Sequence, residues 1–338
     1  MRQGAEGLAT SVATKDVSER GMADITVEAQ DRTGTDGDGA AAPALLIAGP
    51  TASGKSALAI RLAKALNGVV INADSMQVYR DLRILSARPT PEEEAEAPHR
   101  LFGFVPAGED YSVGAYLADA ARVLGAVRRA GQRPIFVGGT GLYFRALTEG
   151  LVETPAIPDG VRRQVAEAVV AGSLDRLLAQ HDPDAARRLG PSDVPRRMRA
   201  LEVALHTGRP LAAWQAAVQG APLLGPGHWR GIVLAPARET LVARIDARFV
   251  AMMEGGALDE VASLAALGLA ANRGVMKAHG VPHLAAHLAG AISRAEAVAR
   301  GQRDTRRYAK RQMTWARRFM QGWLWIEADD GTLAGRID

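Results

Sequence analysis

The sequence predicts an α/β protein in which a parallel sheet carries helices on both faces and is interrupted by an all-helical insertion domain. Three observations support this fold class. A glycine-rich loop at residue 49 stands between a short apolar run and a helical pattern, strand and helix patterns alternate as far as residue 150, and residues 161–219 are helical in pattern without a strand candidate. Alternating strands and helices form a parallel sheet that is covered on both faces. With 338 residues, the chain is long enough to bury such a core.

The first element is a strand–loop–helix unit around "GPTASGKS". Residues 45–48 are a short apolar run, and leucines recur on one face of residues 57–66. The loop between them matches the phosphate-binding pattern G-x-x-x-x-G-K-[ST] in full. It consists of Gly49, Pro50, Thr51, Ala52, Ser53, Gly54, Lys55 and Ser56. Backbone N–H groups can turn inward on an anion here, Lys55 adds a positive charge, and the Ser56 hydroxyl suits Mg²⁺. We therefore predict a P-loop NTPase-like sheet that holds linked phosphates.

Two later strands end in polar residues. "GVVINADS" (68–75) is a buried strand that ends at Asp74, and "RPIFVGGTGLYFRAL" (133–147) is a strand, a glycine turn with Thr140 and a helix. Because parallel strands bring their carboxyl ends to one edge, both side chains should face the phosphate loop. Three roles fit Asp74 at this place: a ligand of Mg²⁺, a general base, or a purely structural helix N-cap. The Thr140 hydroxyl suits a phosphate oxygen or a turn cap.

The remaining patterns complete the domain organisation. Residues 111–131 predict an amphipathic helix, and "GIVLAP" (231–236) predicts a further strand. The stretch that follows, to about residue 322, predicts two or more helices, and "WLWIEA" predicts a last strand. We predict a P-loop-like core over 43–150 and 220–330 and a helical insertion domain over 151–219, to which the resemblance given below assigns tRNA binding. Residues 1–42 lack an apolar period and predict a disordered N-terminal extension.

Composition excludes several classes of protein. There is no cysteine, so disulfides, thiol nucleophiles and cysteine-ligated zinc are absent, and the seven histidines show no metal-ligand spacing. No apolar run is long enough to span a membrane and no secretory signal pattern opens the chain, so we expect a cytoplasmic protein. We also expect a monomer, because no apolar stripe is left over.

Positive charge is concentrated near the carboxyl end. The net charge is +4, but residues 1–40 carry four basic and eight acidic side chains, so residues 41–338 carry +8. Residues 294–318 hold nine basic side chains against Glu296 and Asp304, a net of +7. On a helix, one sector of roughly 140° contains Arg303, Arg306, Arg307, Lys310, Arg311, Arg317 and Arg318. Such a face predicts phosphate contact with nucleic acid, a solvated surface being the alternative. The opposite aromatics, Tyr308, Trp315 and Phe319, are expected in the core.

Six motifs in series resemble the tRNA dimethylallyltransferases. They are "GPTASGKS", "INADSMQVYRDLRILSARPT", "APHRLFGFV", "VGGTGLYFRAL", "RRMRALEV" and "TRRYAKRQMTWARR", and they cover about residues 44–326. The resemblance implies transfer of the dimethylallyl group of dimethylallyl diphosphate to N6 of the adenosine 3′ of the anticodon, with Mg²⁺ assisting. It also implies that the base is flipped out into the cleft.

The resemblance assigns roles to individual residues. Asp74 accepts the N6 proton, the loop cradles the diphosphate with Ser56 at the Mg²⁺, and Thr140 and Arg248 contact the same diphosphate. The implied contacts with the anticodon stem-loop are Asp74, Ser75, Met76, Gln77, Thr140, Arg162, Arg196, Arg199, Lys277, Gly280, Arg306, Arg307, Lys310 and Arg311. Where many members read G-Y-R-Q, this chain has Val281, Pro282 and His283 after Gly280. The arginine is missing there, and Lys277 is expected to supply the phosphate contact.

Three other functions fit part of the sequence. The phosphate loop alone fits an ATP-dependent small-molecule kinase, but "PIFVGG" ends in glycines where an ordinary ATPase strand carries an acidic residue. A P-loop RNA-binding protein without transfer chemistry fits the basic helix. A prenyltransferase for free adenine nucleotides fits the core, but it would need neither the insertion nor the basic helix.

Overall fold

The computed structural model describes residues 42–152, 156–217 and 220–327, so the extension predicted over 1–42 lies outside the described residues apart from its last one. Within these ranges six parallel strands form one sheet in the order β3-β2-β4-β1-β5-β6. The strands are β1 (Ala44–Ala48), β2 (Gly68–Asn72), β3 (His99–Arg100), β4 (Arg133–Gly138), β5 (Trp229–Leu234) and β6 (Leu324–Ile326). The predicted α/β class with a parallel sheet is confirmed.

Helices account for most of the remaining described chain. They are α1 (Lys55–Ala65), α2 (Pro91–Glu96), α3 (Val113–Arg129), α4 (Gly141–Glu149), α5 (Asp159–Val170), α6 (Leu174–His181), α7 (Pro183–Arg188), α8 (Val194–Thr207), α9 (Leu211–Ala217), α10 (Arg238–Glu254), α11 (Ala257–Ala266), α12 (Val281–Leu288) and α13 (Arg294–Phe319). A short 3₁₀ helix covers Val275–Lys277. None of the described helices has the length and apolar character needed to cross a membrane.

The sheet is buried on both faces, which explains why its strands are continuous apolar runs. Alternate residues of β1 point to opposite sides of the sheet. Leu46 belongs to a cluster with α3, α4 and the end of α13, whereas Leu45 and Ile47 pack with α1. All three side chains are at most 5% exposed.

The strand order brings three strand exits together. β4 lies between β1 and β2, so the segments that follow these strands are neighbours at the carboxyl edge of the sheet. The Thr140 amide donates a hydrogen bond of 3.2 Å to the Ala73 carbonyl oxygen. A methyl group at Gly138 would collide with that same peptide, so only glycine allows the two strand ends to approach this closely.

Helices α5 to α9 pack around a hydrophobic cluster of their own. Its buried members are Val165, Leu174, Leu178, Ala185, Ala200 and Leu201. Arg197 is 4% exposed, and its guanidinium donates to the Asp175 carboxylate at 2.6 Å and to the Leu189 carbonyl at 2.7 Å. The buried Asp182 carboxylate accepts from the amides of Ala185 and Leu211. A separate cluster is what we expect of an insertion, and the domain boundaries stay a prediction.

Helix α13 lies across the core on a face of small residues. The Ser293 hydroxyl caps its first turn by accepting from the Glu296 amide. Its buried residues are Ala297, Gly301, Ala309 and Ala316. Small side chains let the helix pack closely, and the Phe249 ring of α10 fills the space that a side chain at Gly301 would need. One long helix therefore contacts α10, α12 and α4 together.

Gly138→Ala tests the close approach of β2 and β4. We expect it to lower the free energy of unfolding by about 3 kcal/mol, because the new methyl group meets backbone that cannot rotate away. The measurement is urea unfolding followed by circular dichroism. Gly160→Ala in α5 is the matched control, since a methyl group there meets no atom within 4 Å. Equal stability of both variants would contradict the proposed close approach.

Candidate active site

The phosphate loop has the shape that the motif predicts, although its two glycines act for different reasons. Gly54 directly precedes α1 and has φ of 88°, a left-handed conformation that favours glycine. Gly49 has no such φ; a side chain there would press on the Leu234 carbonyl oxygen and the Ser53 hydroxyl. The Ser53 hydroxyl is buried and has no hydrogen-bond partner among the described residues.

Two cations flank the loop. The Lys55 ammonium donates to the Pro50 carbonyl at 3.2 Å, and burial lowers its pKa to about 8 against an opposing effect of the Asp74 carboxylate. The Arg248 guanidinium of α10 donates to the Thr51 hydroxyl, and burial lowers its pKa as well. Burying two cations side by side is unfavourable unless anions are near. The loop is therefore suited to an anion with more than one negative charge.

Asp74 faces this loop from the end of β2. Its Oδ1 accepts from the Met76 amide at 2.9 Å, and its own amide donates to Asn72 Oδ1 at 2.8 Å. The side chain closes a tight turn and does not cap a helix, so the N-cap alternative is wrong. Because one oxygen is held by backbone, the other is presented in a fixed direction.

Thr140 lies beside Asp74. The Ser75 amide donates to the Thr140 hydroxyl oxygen at 2.9 Å, and that hydroxyl donates to the Ser75 hydroxyl at 3.3 Å. Thr140 stands at the N-cap position of α4 without capping it. The side chain instead ties the β4 exit to the β2 exit.

An apolar cavity of about 230 Å³ opens beside the loop and Thr140. Its lining includes Gly49, Gly139, Thr140, Leu142, Phe144, Tyr308, Gln312, Met313 and Trp315. Tyr308 and Trp315, expected in the core, are half-buried and face this cavity. Trp315 also packs against the central core cluster, as expected, whereas the fully buried positions of α13 are small residues and Tyr308 is left at the cleft.

A smaller hollow has Asp74 in its lining. It is lined by Thr51, Asp74, Met76, Ser86, Arg248, Met252, His279, Thr305 and Tyr308, among others. The His279 ring is 4.5 Å from the Tyr308 ring, and burial, together with the Arg311 charge, lowers the pKa of His279. Sequence reasoning missed His279, and nothing in the histidine spacing could have indicated it.

Two further polar side chains shape the site and were also missed. Glu260 of α11 accepts from the amides of Arg83, Ile84 and Leu85 at 2.5, 2.7 and 2.9 Å, which fixes the loop after Asp74. Gln312 of α13 accepts from the Thr51 amide and donates to the Gly139 carbonyl, which joins the phosphate loop to the β4 exit. The signal for Gln312 was its position as a polar residue among the aromatics of α13.

The basic residues expected on α13 are mostly exposed. Arg306 pairs with Asp246, and Arg307 lies 3.6 Å from Asp304. Lys310 is exposed, and the Arg311 guanidinium lies 5.6 Å from the centre of the Tyr308 ring. Arg303, Arg317 and Arg318 are exposed too. Exposed ion pairs are weak, so this surface remains able to meet phosphates.

The remaining predicted RNA contacts differ in accessibility. Arg162 on α5 and Arg196 on α8 are exposed and line neither cavity, while Arg199 is half-buried and 3.5 Å from Glu202. Lys277 is exposed. Gly280 is buried beneath Leu85 and Phe249 with φ of 97°, so it shapes the turn before α12. The Gln77 side-chain Nε2 donates to the backbone carbonyls of Ser86 and Ala87 within its own loop.

The loop residues suit a Mg²⁺ ion that is carried by phosphate. In the described part of the chain, no group of three or more His, Asp or Glu side chains could hold a metal ion. Mg²⁺ usually keeps several waters and binds through few protein oxygens together with substrate phosphates. The half-buried Ser56 hydroxyl at the start of α1 can supply one such oxygen.

Comparison with known proteins identifies the family. The IPP transferase profile matches residues 77–319, and an isopentenyl transferase profile matches residues 43–102. A tRNA dimethylallyltransferase of Methylobacterium nodulans is 58% identical over 85% of this chain and 96% of its own. A tRNA dimethylallyltransferase of Rhodopseudomonas palustris is 53% identical over 91% of this chain and 95% of its own.

Solved structures agree. One, described as snapshots of a eukaryotic dimethylallyltransferase acting on tRNA, superposes with a TM-score of 0.73 at 29% identity over 86% of this chain and 74% of that one. The tRNA isopentenylpyrophosphate transferase of Bacillus halodurans superposes with a TM-score of 0.60 at 30% identity, over 86% of this chain and 93% of that one. A profile match over most of the chain, and relatives more than half identical along nearly their whole length, show that this chain belongs to the IPP transferase family.

Proposed function

We propose that this transferase moves the dimethylallyl group of dimethylallyl diphosphate to N6 of the adenosine 3′ of the anticodon in tRNA. The products are N6-isopentenyladenosine and inorganic diphosphate. The names of the relatives support tRNA as the substrate. The observation that carries the proposal is the apolar cavity, which opens between the first glycine of the phosphate loop and Thr140. An anionic head beside an apolar chain fits this arrangement, because the cavity next to the phosphate loop has a mainly apolar wall.

The leaving group is stabilised by the loop. As the bond between C1 of the prenyl group and the diphosphate oxygen breaks, negative charge grows on the diphosphate. The loop amides, Lys55 and Arg248 would stabilise that charge most at the transition state, which is the requirement for catalysis. Mg²⁺ held at Ser56 would, when bound, neutralise part of the charge on the same oxygens.

The nucleophile, N6 of the adenosine, approaches from the side of the cleft that carries Asp74, opposite the phosphate loop. The N6 lone pair forms the new bond to C1, the electron pair of the broken C–O bond leaves with the diphosphate, and the N6 proton goes to Asp74. An exocyclic amine is a poor nucleophile, so in-line positioning and proton removal are both needed. The Met76 amide orients the Asp74 carboxylate for this role, and the Thr140–Ser75 contact fixes the adjoining turn. The base must leave its stack to reach this site.

The RNA is held by charge. We place its phosphates on α13 at Arg306, Arg307, Lys310 and Arg311, with further contacts at Lys277, Arg162, Arg196 and Arg199. Most of these side chains are exposed, and α13 passes directly over the cleft. A surface of this kind serves a folded RNA better than a free nucleotide. We propose action in the cytoplasm by a monomer.

Product analysis tests the proposal. The protein is incubated with unmodified tRNA, dimethylallyl diphosphate and Mg²⁺, the RNA is digested, and N6-isopentenyladenosine is sought by mass. Absence of the product with every adenosine-bearing tRNA would refute the function. Binding of ATP in preference to dimethylallyl diphosphate would instead favour the kinase, and product on free adenine nucleotides alone would favour the smaller substrate.

Asp74→Asn tests the proton acceptor. Asparagine keeps the shape but cannot accept the proton, so we expect the transfer rate to fall by about 10²-fold or more with tRNA affinity within about three-fold. Single-turnover kinetics and filter binding measure the two quantities. Asp110→Asn, which removes a carboxylate paired with Arg273 at the surface, is the control and should keep full activity. Normal turnover in Asp74→Asn would exclude the general-base role.

The pH dependence of diphosphate binding tests Lys55. The protonated ammonium attracts the anion, and its pKa is about 8 in the free protein. Affinity should therefore fall as pH rises through about 8, while the diphosphate itself can only gain negative charge. Calorimetry with a non-reacting thiodiphosphate analogue measures this. Lys55→Arg keeps its charge throughout, so its affinity should stay flat up to about pH 9. A flat wild-type profile would contradict either the lowered pKa of Lys55 or its contact with the anion.

Salt dependence tests the basic face of α13. Replacing Arg307 and Lys310 together by alanine should weaken tRNA binding. It should also reduce the steepness of log affinity against log salt by about 1.5, because two phosphate contacts are lost. Arg61→Ala with Lys64→Ala on α1, which packs on the other face of the sheet, removes the same charge and is the control. An unchanged slope in the α13 variant would mean that this face does not touch phosphate.

A further inference from the structure

The geometry points to Gln312 as a positioning residue that sets the separation between the leaving group and the nucleophile. The Thr51 amide donates to Gln312 Oε1 at 3.0 Å, and Gln312 Nε2 donates to the Gly139 carbonyl at 3.0 Å. One side chain of α13 thus connects the phosphate loop to the turn that carries Thr140. This inference rests on the proposed function, in which these two segments hold the two reacting groups.

The orientation of the Gln312 amide is determined by its partners. A backbone amide can only donate and a carbonyl oxygen can only accept, so Oε1 must face Thr51 and Nε2 must face Gly139. Reversing the amide would lose both hydrogen bonds. Because the two backbone partners fix which atom faces which segment, the side chain acts as a spacer of defined length.

The space around Gln312 agrees with this role. A methyl group at Gly139 would collide with Gln312 Nε2, and apart from the Gln312 side chain its nearest neighbour would be Asp74 Oδ2 at 3.4 Å, an ordinary contact. Gly139 does not have a positive φ, so its backbone would accept alanine. The glycine at position 139 is therefore required chiefly by Gln312, and the Asp74 carboxylate lies next to the same turn.

The Thr51 amide is occupied by Gln312 and is not available to a phosphate. Gln312 therefore acts on the position of the loop and not as an additional ligand of the diphosphate. Arg248 holds the Thr51 hydroxyl from α10, so residue 51 is fixed from two helices. Loss of Gln312 would free the loop and the Thr140 turn to shift relative to each other, and misplacement by about 1 Å can lower a rate by about 10²-fold.

Gln312→Met tests the spacer, because methionine keeps the length and removes both hydrogen bonds. We expect kcat for prenyl transfer to fall by about 10- to 100-fold, while the affinities for tRNA and for the thiodiphosphate analogue stay within about three-fold. Gln302→Met is the matched control. Gln302 lies on the same helix and donates to the Asp246 carbonyl at 3.1 Å, away from the loop. It should keep kcat within about two-fold and show the same thermal unfolding as Gln312→Met.

A double-mutant cycle tests the contact itself. Gly139→Ala should lower kcat by about 10²-fold in the wild type, but by less than about three-fold in a Gln312→Ala background, where the obstructing amide is gone. Additive effects would overturn the inference, as would a normal kcat in Gln312→Met or equal losses in Gln312→Met and Gln302→Met. Absence of N6-isopentenyladenosine with the wild-type protein would refute the proposed function itself, and the spacer role with it. Product formation by the wild type with an unaffected Gln312→Met would refute only the spacer.

Discussion

The parallel alignment of β1, β4 and β2 is the constraint on which the rest of the structure depends. In a parallel sheet all carboxyl ends lie at one edge, so the phosphate loop, Thr140 and Asp74 become neighbours although they are far apart in sequence. Backbone contacts hold this arrangement, above all the hydrogen bond from the Thr140 amide to the Ala73 carbonyl. Glycine at position 138 makes that approach possible, so the site depends on a missing side chain as much as on those present.

The chemistry of the site follows from what the fold buries there. Lys55 and Arg248 are brought together beside the Asp74 carboxylate, which opposes the effect of burial, and burial lowers both pKa values. In the proposed function a dianionic head group would remove this unfavourable situation, and an apolar chain would fill the cavity beside it. Under this proposal binding energy and catalytic stabilisation would come from the same groups, because charge increases on the head group as it leaves.

Helix α13 makes the candidate site and the proposed RNA surface parts of one element. Its alanine face packs on the core, Gln312 reaches the phosphate loop and the Gly139 carbonyl, and its outer face carries exposed arginines and Lys310. A helix has room for all three functions because successive residues point about 100° apart. The exposed charges and the Gln312 contacts therefore lie on different sides of one helix.

The sequence by itself determined the α/β class, the phosphate loop and the membership of Asp74 and Thr140 in one cleft, because strand periodicity, glycine spacing and the geometry of parallel sheets are local or general properties. The family followed from six motifs in order. Only the tertiary structure decided that Asp74 closes a turn, that Tyr308 and Trp315 face a cavity, and that Gln312, Glu260 and His279 belong to the site. Each of these depends on contacts between residues distant in the chain, as with Thr51 and Gln312, which are 261 positions apart. Periodicity shows which side of a helix is apolar, but what that side meets depends on how the helices pack.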